Sequence, residues 1–208
     1  YLKIDNFSSS TDELAITLPK IIEKGYQNLI IDLRDNGGGG IEAAFEFAKH
    51  IVNESTTVGY FVTNKLEYSG FNLKLFETLP VAIPETTEEF IETLKNGRGA
   101  KLVFTKTNNP IFDGNLYVLT NNATGSTCEP IVYLLKKSNK ATIIGEKTGG
   151  VMLSGTLFDL SGKYKLFLPI ADFYTYDGIR IESVGVTPNI ETTSGNALDK
   201  ALSLIKNK

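Results

Sequence analysis

Cysteine and histidine are almost missing from these 208 residues, which hold one of each, Cys128 and His50. A single cysteine excludes an internal disulfide, and one cysteine with one histidine makes a structural zinc site implausible. Lysine and arginine are not in excess: 21 stand against 24 acidic residues, for a net charge of -3, so the basic footprint of a nucleic-acid binder is absent. No apolar run approaches the ~20 residues that a membrane-spanning helix needs. An initiator methionine and a signal peptide are also lacking, and the chain opens on the strand-like Tyr1-Leu2-Lys3-Ile4. The expectation is a processed chain or fragment whose upstream domain is missing. The remaining composition, 41% apolar and 22% charged, is that of a globular protein, long enough for one large domain over 1–208.

Along the chain, strands and helices alternate. Tyr1 to Phe7 reads as a strand. Ser8, Ser9, Ser10 and Thr11 offer caps for a helix whose apolar stripe is Leu14, Leu18, Ile21 and Ile22; Pro19 inside it predicts a kink or two short pieces. Asn28 to Leu33 reads as a buried strand ending in four glycines, Gly37 to Gly40, before a helix with Ala44, Phe45, Ala48 and Ile51 on one face. Neither phosphate-binding glycine spacing is matched there, which argues against nucleotide binding. Residues 56–113 read as an irregular excursion, with a strand at Val58–Val62 and a helix at Thr86–Lys95. Later come a strand at Ala141–Gly145, paired strands around Ser161-Gly162, a second turn at Asp177-Gly178, and a last helix with Leu198, Ala201, Leu202 and Ile205 facing the core.

One stretch has chemical potential. The strand Asn115–Thr120 runs through the turn formers Asn121 to Gly125 into a helix containing Ile131 to Leu135, with Pro130 suited to its first turn. Ser126 therefore stands at a helix N-terminus, where free N–H groups and the helix dipole favour a developing oxyanion. The same residues also allow Ser126 or Thr124 to be an ordinary helix cap.

Four motifs then fall in a familiar order: Ile31-Asp32-Leu33-Arg34-Asp35-Asn36-Gly37-Gly38-Gly39, Gly125-Ser126-Thr127-Cys128-Glu129, Gly145-Glu146-Lys147-Thr148-Gly149-Gly150, and Glu182-Ser183-Val184-Gly185-Val186-Thr187-Pro188-Asn189. Together they resemble the tail-specific, or C-terminal processing, serine peptidases over nearly the whole chain. The resemblance implies an α/β core of the Clp protease/crotonase type, built from strand–strand–helix units. It implies hydrolysis of a peptide or protein substrate without a cofactor, and export from the cytoplasm. Carried over by position, Ser126 matches the nucleophile, and the N–H groups of Gly38 and Thr127 match the oxyanion hole.

The base departs from the pattern. The bacterial processing peptidases place a lysine where alignment on Gly145-Glu146 puts Val151; Lys147 lies four positions early. The tricorn-like branch resembles a Ser-His-Glu arrangement, in which Glu182 matches the carboxylate and the histidine would precede Tyr1. A structural role for Glu182, solvated or paired with Arg180, stays open. His50, late in its helix, reads as structural, and Cys128 as a buried apolar residue. Two rival readings remain: a non-catalytic binding module on the same fold, favoured by Val151, and an acyl-thioester enzyme of the crotonase type, which would not require Ser126. Cleavage specificity and oligomeric state are not legible.

Overall fold

The computed structural model describes residues 1–8, 11–66, 70–83 and 86–207. One sheet is wholly parallel: β1 (Leu2–Lys3), β2 (Asn28–Asp32), β6 (Asn115–Thr120), β7 (Ala141–Gly145) and β10 (Ile190–Glu191), in that order. The second sheet orders as β4 (Val81–Ala82), β5 (Gly99–Phe104), β3 (Thr56–Thr63), β9 (Lys165–Thr175) and β8 (Ser154–Asp159); only its β4–β5 pair is parallel. The helices are α1 (Thr11–Glu23), α2 (Ile41–Lys49), α3 (Leu73–Phe76), α4 (Thr87–Asn96), α5 (Cys128–Lys137) and α6 (Ala197–Lys206).

The apolar run of β2 is unbroken because both of its faces are covered. Leu29 and Ile31 enter the main core, while Ile30 meets Tyr117, Leu119 and Ile144 under Ala197 and Ala201 of α6. On the opposite side α2 and α5 pack between the two sheets, with α1 against α2. Phe61 of β3 binds the second sheet to this core, its ring 4.8 Å from both Phe90 of α4 and Phe173 of β9. The outer face of that sheet carries Tyr60 and Val62 against Phe76 of α3. The Clp-like α/β core expected from the motifs is the architecture found.

Several local expectations are corrected. Of the two outcomes expected at Pro19, two short pieces is not found: Pro19 sits inside a single helix, α1, and the Ala15 carbonyl that loses its partner is on an exposed residue, where water can satisfy it. The strand expected over Tyr1–Phe7 pairs only at Leu2 and Lys3, and Phe7 instead exchanges backbone bonds with Gly38 and Gly40. The span 56–113, expected to be irregular apart from a strand at Val58–Val62 and a helix at Thr86–Lys95, also supplies β5, which lies inside the second sheet beside β3. Leu202 points away from the core and is 40% exposed. Two of the suggested α1 caps, Ser9 and Ser10, lie outside the described residues.

Candidate active site

Because β2 and β6 are parallel neighbours, their carboxyl ends deliver two loops to one edge of the sheet, and β7 delivers a third. The first two are locked together. Thr124 donates its hydroxyl to the Leu33 carbonyl at 2.7 Å, the Gly125 amide donates to Asn36 O at 3.0 Å, and the Thr127 hydroxyl donates to Gly39 O at 2.7 Å. None of these hydroxyls caps α5. Thr127 occupies the cap position without a side-chain bond to the helix amides, and the Ser126 hydroxyl has no hydrogen-bond partner among the described residues.

Ser126 is held at φ 53°, in the left-handed region that costs a non-glycine residue about 1–3 kcal/mol. That conformation turns the chain sharply between β6 and α5. Gly38, at φ 97°, packs directly on it: a Cβ there would lie 2.7 Å from Ser126 Cβ and 2.9 Å from Thr127 N. Only glycine allows this approach. The Thr127 amide has no acceptor among the described residues, whereas the Gly38 amide donates to Asn36 Oδ1 at 2.9 Å. Asn36 is itself fully buried, and its Nδ2 is fixed on the Ile4 carbonyl.

The third loop is tied to the serine by a carboxylate. Glu129, in the first turn of α5, has no solvent exposure and accepts four hydrogen bonds. Its Oε2 receives the Ser126 amide at 3.1 Å and the Val151 amide at 2.9 Å; its Oε1 receives the Thr148 hydroxyl at 2.6 Å and the Gly150 amide at 2.8 Å. Burial pushes the Glu129 carboxyl up and these donors pull it down, with a net rise above the usual glutamate value. Glu182, from the segment after β9, holds the next residue of this third loop: its Oε2 accepts the Met152 amide at 2.7 Å, and its Oε1 takes no hydrogen bond among the described residues. Beside Ser126 opens a cavity of about 380 Å³, bounded on the α5 side by Ser126, Thr127, Pro130 and Ile131.

The sequence model of peptidase family S41 matches residues 1–192. The chain belongs to peptidase family S41. It is 28% identical over 190 residues to the carboxyl-terminal-processing protease of Synechocystis sp., covering 91% of this chain and 36% of that protein. It is 24% identical to the chloroplastic carboxyl-terminal-processing peptidase 1 of Arabidopsis thaliana, covering 91% and 32%. The chain thus spans about a third of the length of these curated relatives. Its fold is similar to that of the photosystem II D1 C-terminal processing protease, with a TM-score of 0.67 at 22% identity, covering 92% of this chain and 42% of that one. The tricorn protease has a TM-score of 0.57 at 18% identity, covering 100% of this chain and 17% of that one.

Within this S41 core, Ser126, Gly38 and Thr127 come together, and Glu182 borders them through Met152. His50 does not join them. It lies buried at the far end of α2 from the glycine loop, with Nδ1 3.0 Å from the Pro110 carbonyl and Nε2 3.5 Å from Glu46. Lys147 is exposed and lines a separate shallow depression with Glu191 and Thr192. Val151 packs on the serine turn: a Cβ on Gly125 would lie 2.5 Å from its Cγ2. Its side chain is 56% exposed. Cys128 is fully buried, and burial with the neighbouring Glu129 charge pushes its thiol far up, away from a reactive thiolate. Arg34 and Asp32 brace the loop, paired at 2.5 Å, with Arg34 also donating to the Ser194 carbonyl.

The sequence reading gave Glu129, Asn36 and Thr148 no role. The spacing Ser126-x-x-Glu129 is that of half a capping box, in which the N3-type carboxylate reaches back to the turn amide, and it could have flagged Glu129. Asn36 has one local partner, the Gly38 amide two residues on, but its Nδ2 partner Ile4 and the Thr148 partners Glu129 and Val186 come from distant segments and leave no local signal.

Proposed function

We propose that this chain, acting as one core domain, is the catalytic core of a serine peptidase that processes protein substrates near their carboxyl ends. The observation that supports it most is the Ser126 turn: a strained serine whose hydroxyl, like the adjacent Thr127 amide, has no partner among the described residues, packed on Gly38, at the mouth of an apolar cavity. In the proposed reaction a base takes the hydroxyl proton as Ser126 Oγ bonds to the scissile carbonyl carbon. The oxygen becomes an oxyanion held by Thr127 N–H and by Gly38 N–H, the latter shared with Asn36 Oδ1. The C–N bond then breaks and the amine leaves with the proton. Water, activated by the same base, releases the acyl group from Ser126.

No described side chain stands ready as that base. We assign the role to a histidine outside these residues, oriented by the free Oε1 of Glu182. Export from the cytoplasm is part of the proposal. The relatives include chloroplastic and bacterial processing proteases, and no described helix is long and apolar enough to cross a membrane.

A fluorophosphonate probe read by intact mass tests the assignment on the full-length protein and its Ser126→Ala variant. Labelling of the parent alone is expected; equal labelling of both would overturn it. The second reading, a binding module on this fold, is favoured by Val151 at the position beside Ser126, and predicts that neither protein is labelled.

A further inference from the structure

The cavity next to Ser126 has a composition that bears on what is cut. Its α5 wall is the serine turn itself. Facing it are Phe61, Leu102 and Phe104 of the second sheet and Phe90 and Ile91 of α4, with Met152 to Gly155 along one rim. Among the described residues no lysine, arginine, aspartate or glutamate lines it; the polar side chains they contribute are the hydroxyls of Ser126, Thr127, Thr87 and Ser154. A charged side chain entering this space would shed water and meet no counter-charge, whereas an apolar one gains from the same transfer. Its volume of about 380 Å³ exceeds the roughly 150 Å³ that suffices for a benzene ring in an apolar protein cavity. A methyl group would leave most of it unfilled and forfeit the dispersion contacts of its walls.

Position relative to the nucleophile decides which substrate residue enters. When the scissile carbonyl bonds to Ser126 Oγ, with its oxygen toward the Thr127 and Gly38 amides, the residue carrying that carbonyl is the one closest to the Ser126–Thr127 wall. We infer that this cavity receives the side chain on the acyl side of the cut bond and selects a large apolar one, an aromatic ring or a long aliphatic chain. This rests on Ser126 being the nucleophile. Leu153, at the rim and 36% exposed, is the residue through which the selectivity can be altered without opening the core.

The test uses the full-length protein and a set of end-blocked dipeptidyl diaryl phosphonates, whose phosphorus an activated serine oxygen attacks with loss of one phenol, differing only in the side chain next to phosphorus: Phe, Leu, Ala, Asp or Lys. Second-order labelling rates at Ser126 are expected to favour Phe and Leu over Ala by on the order of 10- to 100-fold, with Asp and Lys slowest. The matching peptides, titrated calorimetrically into Ser126→Ala, are expected to follow the same order. In Leu153→Asp the Phe preference should shrink and the Lys analogue should gain. If a small fluorophosphonate labels Ser126 but Ala phosphonates react as fast as Phe, the cavity inference falls while the nucleophile stands. If nothing labels, the nucleophile reading falls, and the titration decides the cavity alone: preference for the Phe peptide upholds its selectivity, and equal binding overturns it.

Discussion

Glu129→Gln isolates the tie between the Ser126 turn and the loop after β7. The carboxylate accepts two donors on each oxygen: Thr148 Oγ1 and Gly150 N on one, Ser126 N and Val151 N on the other. Glutamine retains one accepting oxygen. Its NH₂ group would face the other pair of amides, donor against donor, inside a site with no exposure. Each buried donor left without an acceptor costs about 1–3 kcal/mol, and removing the buried charge returns part of that, so a net loss of about 2–4 kcal/mol is expected. For a domain of this size that lowers Tm by roughly 4–16 °C. Urea and thermal unfolding measure it directly. The pH dependence adds a second reading. The folded carboxyl titrates above its ordinary value, so the unfolded chain releases this proton first as pH rises. The contribution of Glu129 is therefore fully present below the ordinary glutamate value and declines as pH climbs through the raised one. Glu129→Gln should lack that decline. A variant as stable as the parent, with the same pH profile, would refute the bridging role.

Three further outcomes are expected. Gly38→Ala places a methyl 2.7 Å from Ser126 Cβ at a φ of 97°, and should both destabilise the fold by about 1–3 kcal/mol and abolish fluorophosphonate labelling, read by unfolding and intact mass. Asp32→Asn removes a carboxyl that burial raises but that the Arg34 guanidinium and Tyr1 hydroxyl draw below its usual value. Its stabilisation is present above the unfolded value and lost as pH falls, so the variant should be about 1–3 kcal/mol weaker at neutral pH and show less acid destabilisation in urea titrations at pH 3 and 7. The 208 residues alone are expected to cleave peptides poorly, and Val151→Lys, which sets an amine beside the Ser126 turn, should accelerate fluorophosphonate labelling between pH 7 and 9. An unchanged rate would mean that side chains at this position do not reach the hydroxyl.

Local pattern carried the sequence reading where an element's residues explain themselves. The apolar run of β2 and the serine turn between β6 and α5 lie where their chemistry predicts, and Thr86 caps α4, accepting the Glu89 amide. The reading failed where distant pairing decides. Gly99-Ala100-Lys101 of β5 has no alternation to betray a central strand until β3 lies beside it, whereas the strand expected at Val58–Val62 is found within β3. Leu202 satisfies the helical stripe but projects past the sheet that Ala197 and Ala201 cover. The site divides in the same way. Ser126, Gly38 and Thr127 are legible as neighbours once β2 and β6 are parallel partners. Glu129 is legible as a carboxylate near a turn, but its other partners belong to a loop that only the β6–β7 pairing brings near.

The backbone at Ser126 also has an evolutionary consequence. At φ 53° glycine would sit more easily than serine by roughly 1 kcal/mol, because it carries no Cβ against the neighbouring carbonyl. Selection for folding alone therefore pushes this codon toward glycine, and only use of the hydroxyl pushes back. A descendant that kept the architecture but abandoned its chemistry would be free to drift there and become sturdier. Serine held at this place in a genome is thus a record of continued use, and glycine in its stead would mark a lineage that has turned the scaffold to another purpose.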